Sequence, residues 1–412
     1  MNFSGTILAL LNLSYWYRGW TLQEACANDY NVLHYGRTRC SVRNWDTLGN
    51  IISDALVDLE WRAEGRDMPA LPDFQGWVLT MSSARRDSHI FRNPSTILSE
   101  DHVAQVLTNN LALLARSTRQ TTDPRDQVYS QIGCMAGLML AKIKPDYSLS
   151  TEQVFIATTF AVLHTSRSWS HVQFFSPSKS PYMPSWAIDF RLAPDLNGMN
   201  GLPSNGNVAK FEADGTASFR LQELRPGILY TAGFIHDEVS FAVPFDQPER
   251  TIHKLLDIFV ETEPIFAQHH AYATRVDRWI SICRTLCMGM VGEAKFGQQH
   301  AAAIRDWWVS RERQEGLPTN DLSSVFRELL ARSRSAQTNG MNFITTRNGR
   351  LGLVPRNVDI GDCLAILAGG RVPFIIRKVG ELDNHDDSHI LLGACYLDGE
   401  MFTSPKLKRL VH

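Results

Sequence analysis

The 412-residue chain carries 41 lysines and arginines against 43 aspartates and glutamates, with 44% hydrophobic residues, close to ordinary globular usage. At roughly 100–200 residues per domain its length predicts two or three folding units, and no apolar run reaches the about 18 residues that a membrane span needs. A formal net charge of −2 leaves no cationic surplus for tracking a phosphate backbone, so nucleic acid is not expected as a partner.

The N-terminal MNFSGTILALLNLSYWYRGW is apolar but lacks the basic start of a secretory signal. The apolar stretch from Thr6 to Leu13, which contains Asn12, leads into Tyr15, Trp16, Tyr17 and Trp20, a patch that calls for covering elements. Seven cysteines (Cys26, Cys40, Cys134, Cys283, Cys287, Cys363 and Cys395) are an odd number without framework spacing, which points to reduced thiols in a cytoplasmic protein.

Residues 44–64 and 100–118 repeat apolar side chains at spacings of three and four, the pattern of amphipathic helices. The proline-containing, charged stretch between them is expected as a loop, and a third helix is expected from Thr151 to His164, capped by Ser150 or Thr151. Five prolines between about 176 and 207 mark a boundary. Beyond it, Asp214-Gly215 lies between short alternating runs, and ILYTAGFIHDEVSFAV is rich in strand formers.

From 249 to 334 the pattern is helical again, and then Asn348-Gly349 and Gly369-Gly370 each predict a tight turn between strands. The expected organisation is a short unit at 1–40, a helical region at 41–200, a β unit made of 201–248 and 335–412, and a helical insertion at 249–334. The fold class expected is α+β, with a mainly helical N-terminal part and a C-terminal antiparallel β unit interrupted by that insertion.

Two clusters carry candidate chemistry. On a helix starting near Trp20, Glu24 lies one turn on, where a large aromatic could raise the pKa of a carboxylate for acid–base work. The alternative is ordinary helix packing, with Glu24 paired to Arg18 or capping backbone. In the second cluster, Asp123 before Pro124 is a good helix start, with Arg125 and Asp126 placed to bridge to neighbouring elements. It contains no nucleophile–base pair, so a structural helix start is the simpler reading.

Cys283 and Cys287, four apart, make half a metal site that nothing at ligand spacing completes, and His385 to His389 falls in a polar loop. No metal or other cofactor is expected. Phosphate-loop, serine-elbow and zinc-helix signatures are absent from the sequence.

Y-W-x-R-x-W-T-x-Q-E, with Arg18, Trp20, Gln23 and Glu24, is followed by T-x-D-P-R-D-x-V-Y, with Asp123, Pro124, Arg125, Asp126 and Tyr129. Then come P-D-Y (Pro145, Asp146, Tyr147), P-S-W (Pro184 to Trp186) and G-L-V-P…G-D…P-F-I-I-R…G-A-C-Y (Gly352 to Tyr396). In this order the motifs resemble those of fungal heterokaryon-incompatibility (HET) domain proteins.

The resemblance implies non-self recognition, in which fusion of genetically unlike hyphae triggers programmed cell death, with another protein as the incompatibility partner. The L-S-Y-x-W-G and W-I-D-A-x-C-I-N-Q segments that open the family's domain do not occur in this sequence. Residues 1–40 are therefore expected to be the C-terminal remnant of a truncated HET domain, non-enzymatic in this form. The family domain is distantly similar to TIR domains, some of which hydrolyse NAD through a glutamate. An alternative reading is thus a TIR-like NAD hydrolase using Glu24, and a third is a degenerate paralogue without activity.

Overall fold

A computed structural model of the chain describes residues 120–133, 142–169, 180–192, 219–244 except 226, 274–312 except 292 and 293, 341–381 and 387–401. It also describes parts of 15–42 and residues 172, 211 and 213. The chain divides into two compact units. One consists of Met1–Arg167 with Ser180–Met183 and Ala187–Pro194, and the other of Ser168–Lys179, Pro184–Trp186 and Asp195–His412.

In the first unit, β1 (Asn31–Tyr35) and β2 (Thr38–Val42) pair antiparallel, with Tyr35 opposite Thr38. Helix α1 (Asp126–Tyr129) is a single turn, and α2 (Thr151–Ser166) is the long helix of this unit. Ser150 caps α2: its hydroxyl accepts the Gln153 N–H (3.2 Å), while the Gln153 side chain accepts the Ser150 N–H (2.8 Å). Arg167 ends the helix in the left-handed conformation at φ 51°. The helix buries Val154, Phe155, Val162 and Leu163, and its Thr159 hydroxyl donates to the Phe155 carbonyl and accepts the Ile188 N–H (3.0 Å).

The expected mainly helical N-terminal part is not what the structure contains. Among the described residues before 200, helix is limited to α1, α2 and a turn at Trp20, beside a β-hairpin and the irregular segment 180–192. Among the described residues the largest element is a seven-stranded antiparallel sheet. The hairpin escapes a helix-period reading because each strand is only five residues long, and its signal is a glycine between strand formers in NVLHYGRTRCSV. The periodic runs at 44–64 and 100–118 lie outside the described residues, as does the Asp214-Gly215 turn.

The second unit opens with a ribbon of β3 (Leu221–Arg225) and β4 (Ile228–Thr231), followed by β5 (Gly233–Pro244). Helix α3 (Arg275–Leu286), the short pair β6 (Met290–Val291) and β7 (Ala294–Lys295), and helix α4 (Gln298–Glu312) come next. Strands β8 (Met341–Thr346), β9 (Leu351–Pro355), β10 (Cys363–Leu367), β11 (Phe374–Glu381), β12 (Asp387–Ala394) and β13 (Tyr396–Leu397) complete it.

Seven of these strands form one antiparallel sheet in the order β12-β11-β10-β5-β8-β9-β13. The two ends of that order, β12 and β13, are separated in the chain only by Cys395. The last strand therefore pairs with β11 up to Ala394 and with β9 from Tyr396 onward, and the sheet closes into a barrel. Val239, Ile344, Val354, Leu364, Ile375, Leu392, Cys395 and Leu397 fill a common buried cluster. Helices α3 and α4 are inserted between β5 and β8, which are nonetheless direct neighbours in the sheet.

Asn348-Gly349 and Gly369-Gly370 each lie between antiparallel strands, but neither pair forms the centre of its turn. At the first, the Gly349 N–H donates to the Thr346 carbonyl (2.9 Å), so Arg347 and Asn348 are the central residues and Gly349 takes φ 76°. At the second, Gly370 N–H donates to Leu367, with Gly369 at φ 82°. That loop is longer because Ala368 still bonds to the Ala232 carbonyl, just ahead of β5, and because Gly369 and Arg371 carbonyls accept N–H groups from Trp169 and Ala213.

Barrel closure brings Gly352 of β9 under the closing strand. A Cβ at Gly352 would lie 2.7 Å from the Tyr396 carbonyl oxygen and 3.1 Å from Ile344. Gly352→Ala is expected to destabilise the chain by about 1–3 kcal/mol, the usual cost of overpacking a rigid contact, as measured by thermal unfolding.

Candidate functional site

The motif residues of the first unit converge on one carboxylate. Asp123 starts the segment: its Oδ1 accepts the Arg125 N–H (3.0 Å), a turn that suits Asp before Pro124. Successive bonds from Asp126, Gln127 and Val128 N–H groups to the carbonyls of Asp123, Pro124 and Arg125 wind the chain into α1. The Asp126 side chain is thereby presented at the first turn of the helix. Its Oδ2 accepts the Trp20 indole N–H (3.1 Å) and its Oδ1 the Tyr147 hydroxyl (2.6 Å). One charge holds two aromatic side chains that are 106 and 21 residues away in sequence.

Arg125 fastens the other side of the cluster. Its Nε and Nη2 clasp Asp123 (2.9 and 2.7 Å), and its Nη1 donates to the carbonyls of Tyr147 and Leu149 (both 2.8 Å). The guanidinium also lies over the Tyr147 ring, 5.1 Å from its centroid. Tyr129 completes the network: its hydroxyl donates to the Asp146 carbonyl (2.9 Å), and its ring meets Tyr147 edge-on at 5.1 Å. Pro145 and Asp146 shape the loop, with Asp146 Oδ1 accepting both the N–H and the hydroxyl of Ser148.

The Trp20 turn is tied in by backbone. Arg18 bridges to Gln120, the Gly19 N–H donates to the Gln120 carbonyl (3.1 Å), and Thr21 is buried with its hydroxyl on the carbonyls of Tyr15 and Arg18. The Gln23 side chain packs on the backbone at Gly133, where any Cβ would collide with its amide. Glu24 closes a helical turn through its N–H to the Trp20 carbonyl (3.1 Å), and its side chain is exposed. Its charge reaches Tyr15, whose phenol is held above the ordinary range first by burial and then by Glu24.

The electrostatics follow from these contacts. Hydrogen bonds from Arg125 hold Asp123 below the usual carboxylate range, and Asp123 in turn raises Arg125. The Tyr147 phenol is pushed up to about 12, chiefly because its proton is bonded to Asp126, with burial second. Arg125 pairs with Asp123, the carboxylate two residues before it. Asp126 instead takes two neutral donors, because Asp123 has already taken the neighbouring guanidinium.

A second clasp of the same geometry went unnoticed in the sequence. Arg191 donates its N–H and Nε to Asp189 Oδ1 (3.1 and 2.8 Å) and Nη2 to Oδ2 (2.7 Å), and reaches Glu152 in the first turn of α2 (3.2 Å). The repeated D-x-R spacing of 123–125 and 189–191 was the available signal.

In the second unit, P-S-W is structural. The Ser185 hydroxyl accepts the Leu391 N–H (2.8 Å) and the Trp186 indole donates to the Gly227 carbonyl (3.0 Å). Among the described residues no group of three or more His, Cys, Asp or Glu side chains is placed to hold a metal ion. Cys283 and Cys287 are both buried, and burial pushes the Cys283 thiol well up, away from the thiolate that a metal binds.

Residues 321–405 match the Het-6 beta-barrel domain. This is a heterokaryon-incompatibility-related domain, distinct from the HET domain itself. No curated protein and no solved structure matches the chain. The Het-6 match takes in β8 through β13 and leaves β5, the strand between β10 and β8, outside it.

Two outcomes test the Asp126 cluster. Asp126→Ala is expected to cost about 1–3 kcal/mol, the range for charge-assisted hydrogen bonds, read as a lowered Tm. Tyr147 keeps its proton more tightly folded than unfolded, so the stability this contributes is complete below about pH 10 and is lost as pH rises through about 12. In Asp126→Asn the phenol is expected to titrate nearer its ordinary value, and the fall in Tm across that alkaline window to become shallower, as followed by ultraviolet difference titration and melting.

Proposed function

We propose that this chain is a heterokaryon-incompatibility family protein of fungal non-self recognition, cytoplasmic, which signals programmed cell death by associating with another protein and not by catalysis. The observation that carries this reading is the Het-6 beta-barrel match at 321–405. The run of HET-like motifs from Tyr15 to Tyr147, gathered around Asp126, supports it. No helix among the described residues is long and apolar enough to cross a membrane.

The same cluster supports association as the mode of action. Trp20 and Tyr147 are 38% and 50% exposed, yet each is fixed by a hydrogen bond to Asp126, and Arg125 is stacked beside them. Tryptophan, tyrosine and arginine are the side chains that anchor protein interfaces most often, and fixing them beforehand lowers the entropy lost on binding. Glu24, the residue the hydrolase reading needs, is an exposed side chain on a single turn.

The test separates the two modes. Purified chain incubated with NAD is expected to deplete it no faster than buffer, and Glu24→Gln is expected to leave the death phenotype of fused incompatible hyphae unchanged. NAD consumption that disappears in Glu24→Gln would overturn the reading.

A further inference from the structure

The closing strand ends in a turn, Asp398-Gly399-Glu400, onto which groups from three other elements converge. From α3, Arg284 donates Nε and Nη2 to the two carboxylate oxygens of Asp398 (2.6 and 2.7 Å). At the head of β9, Arg350 places Nη2 2.7 Å from Glu400 Oε1 and donates Nη1 to the Asp398 carbonyl (3.2 Å). His236 sits where β5 bulges against β10, and its Nε2 lies 3.7 Å from Glu400 Oε1. The Tyr396 hydroxyl lies 3.3 Å from Asp398 Oδ1, and the Asp398 N–H donates to the Leu351 carbonyl (2.8 Å).

Both carboxylates are buried, Asp398 at 2% and Glu400 at 5% exposure. Gly399 adopts φ 85°, and a Cβ on it would lie 2.7 Å from Arg350 Nη1, so the guanidinium packs directly on the glycine. The backbone seam that this turn secures is short. Only Tyr396 and Leu397 pair with β9, opposite Leu353 and Gly352, whereas β11 and β12 pair from Phe374 to Glu381. A two-residue seam has little cohesion of its own, while removing one partner of a buried ion pair strands the other charge in the interior.

We propose that the Asp398-Gly399-Glu400 turn is a latch that couples docking of α3 to closure of the barrel, so that helix and seam are released together. Arg284 grips the turn from the helix and Arg350 grips it from the barrel, one residue apart on either side of Gly399. Loss of either grip takes from a buried carboxylate its guanidinium, with only the Tyr396 hydroxyl beside Asp398 Oδ1 or His236 beside Glu400 named above to offset it, which favours the open form for both. Opening bares the outer edge of β9, a row of backbone groups left to pair with another strand.

Two buried thiols report on the two sides: Cys283 within α3 and Cys395 in the closing strand, both 0% exposed. In the full chain, labelling by an alkylating reagent is followed at each cysteine by peptide mass spectrometry. Arg284→Gln is expected to speed labelling of Cys395 as well as Cys283, and Arg350→Gln of Cys283 as well as Cys395, each by about a hundredfold, the factor expected when a buried pair loses one partner. A variant that speeds only the thiol on its own side, or neither, overturns the latch. Should the variants not fold, wild-type chain in urea below its unfolding midpoint decides. Protection of both thiols lost with one common urea dependence supports coupling, and separate dependences refute it.

Discussion

A sheet edge is a row of unpaired N–H and C=O groups, and in the second unit a single residue, Cys395, lets one strand satisfy both edges of the same sheet. The rest of that unit depends on this change of partner. It requires β9 and the closing strand to approach closely, which is why Gly352 faces the Tyr396 carbonyl and why Gly393, at φ 141°, faces Pro355. It turns side chains of β5, β8, β9, β10, β11 and β12 inward onto one cluster. It also fixes β5 as a structural neighbour of strands that follow it by a hundred residues, so the barrel is larger than the segment 321–405 that carries the Het-6 likeness.

In the first unit the corresponding constraint is the entry to α2. Two D-x-R clasps act on it from different parts of the chain. Arg125 binds the carbonyls of Tyr147 and Leu149 just before the helix, and Arg191 binds Glu152 inside its first turn while lying over Phe155. Exposed ion pairs stabilise little, by about 0–1 kcal/mol each. These clasps differ in that the carboxylate is two residues from its arginine and also accepts that arginine's backbone N–H, so the fork is held in place before it reaches its second target. Their effect is to set loop direction more than to add stability.

The parts of this structure legible in the sequence were those with local causes. Ser150 capping α2, glycines at the two late turns and Asp123 ahead of Pro124 all act within a few residues of themselves. The hairpin at 31–42 was equally local but too short to register against helical periodicity. What was not legible depends on the closed topology. Nothing in the sequence near His236, Arg284 or Asp398 marks them as neighbours, since each lies on a different element and they meet only when the barrel closes. The Asp126 cluster was intermediate: its residues stood out as motifs, but that Asp126 would serve Trp20 and Tyr147 followed only from Arg125 being taken by Asp123.

That distribution of partners bears on what the clustered carboxylates can do. A general base must offer a lone pair to a substrate proton, within hydrogen-bond reach and with a suitable pKa. Both oxygens of Asp123 are occupied by Arg125, which lowers its affinity for a proton. Both oxygens of Asp126 are directed at the Trp20 indole and the Tyr147 hydroxyl. The outcome of these bonds is displayed on the surface as two aromatic rings and a stacked guanidinium held in one geometry. On the reading proposed above, that fixed display of Trp20, Tyr147 and Arg125 is the surface an incompatibility partner would meet.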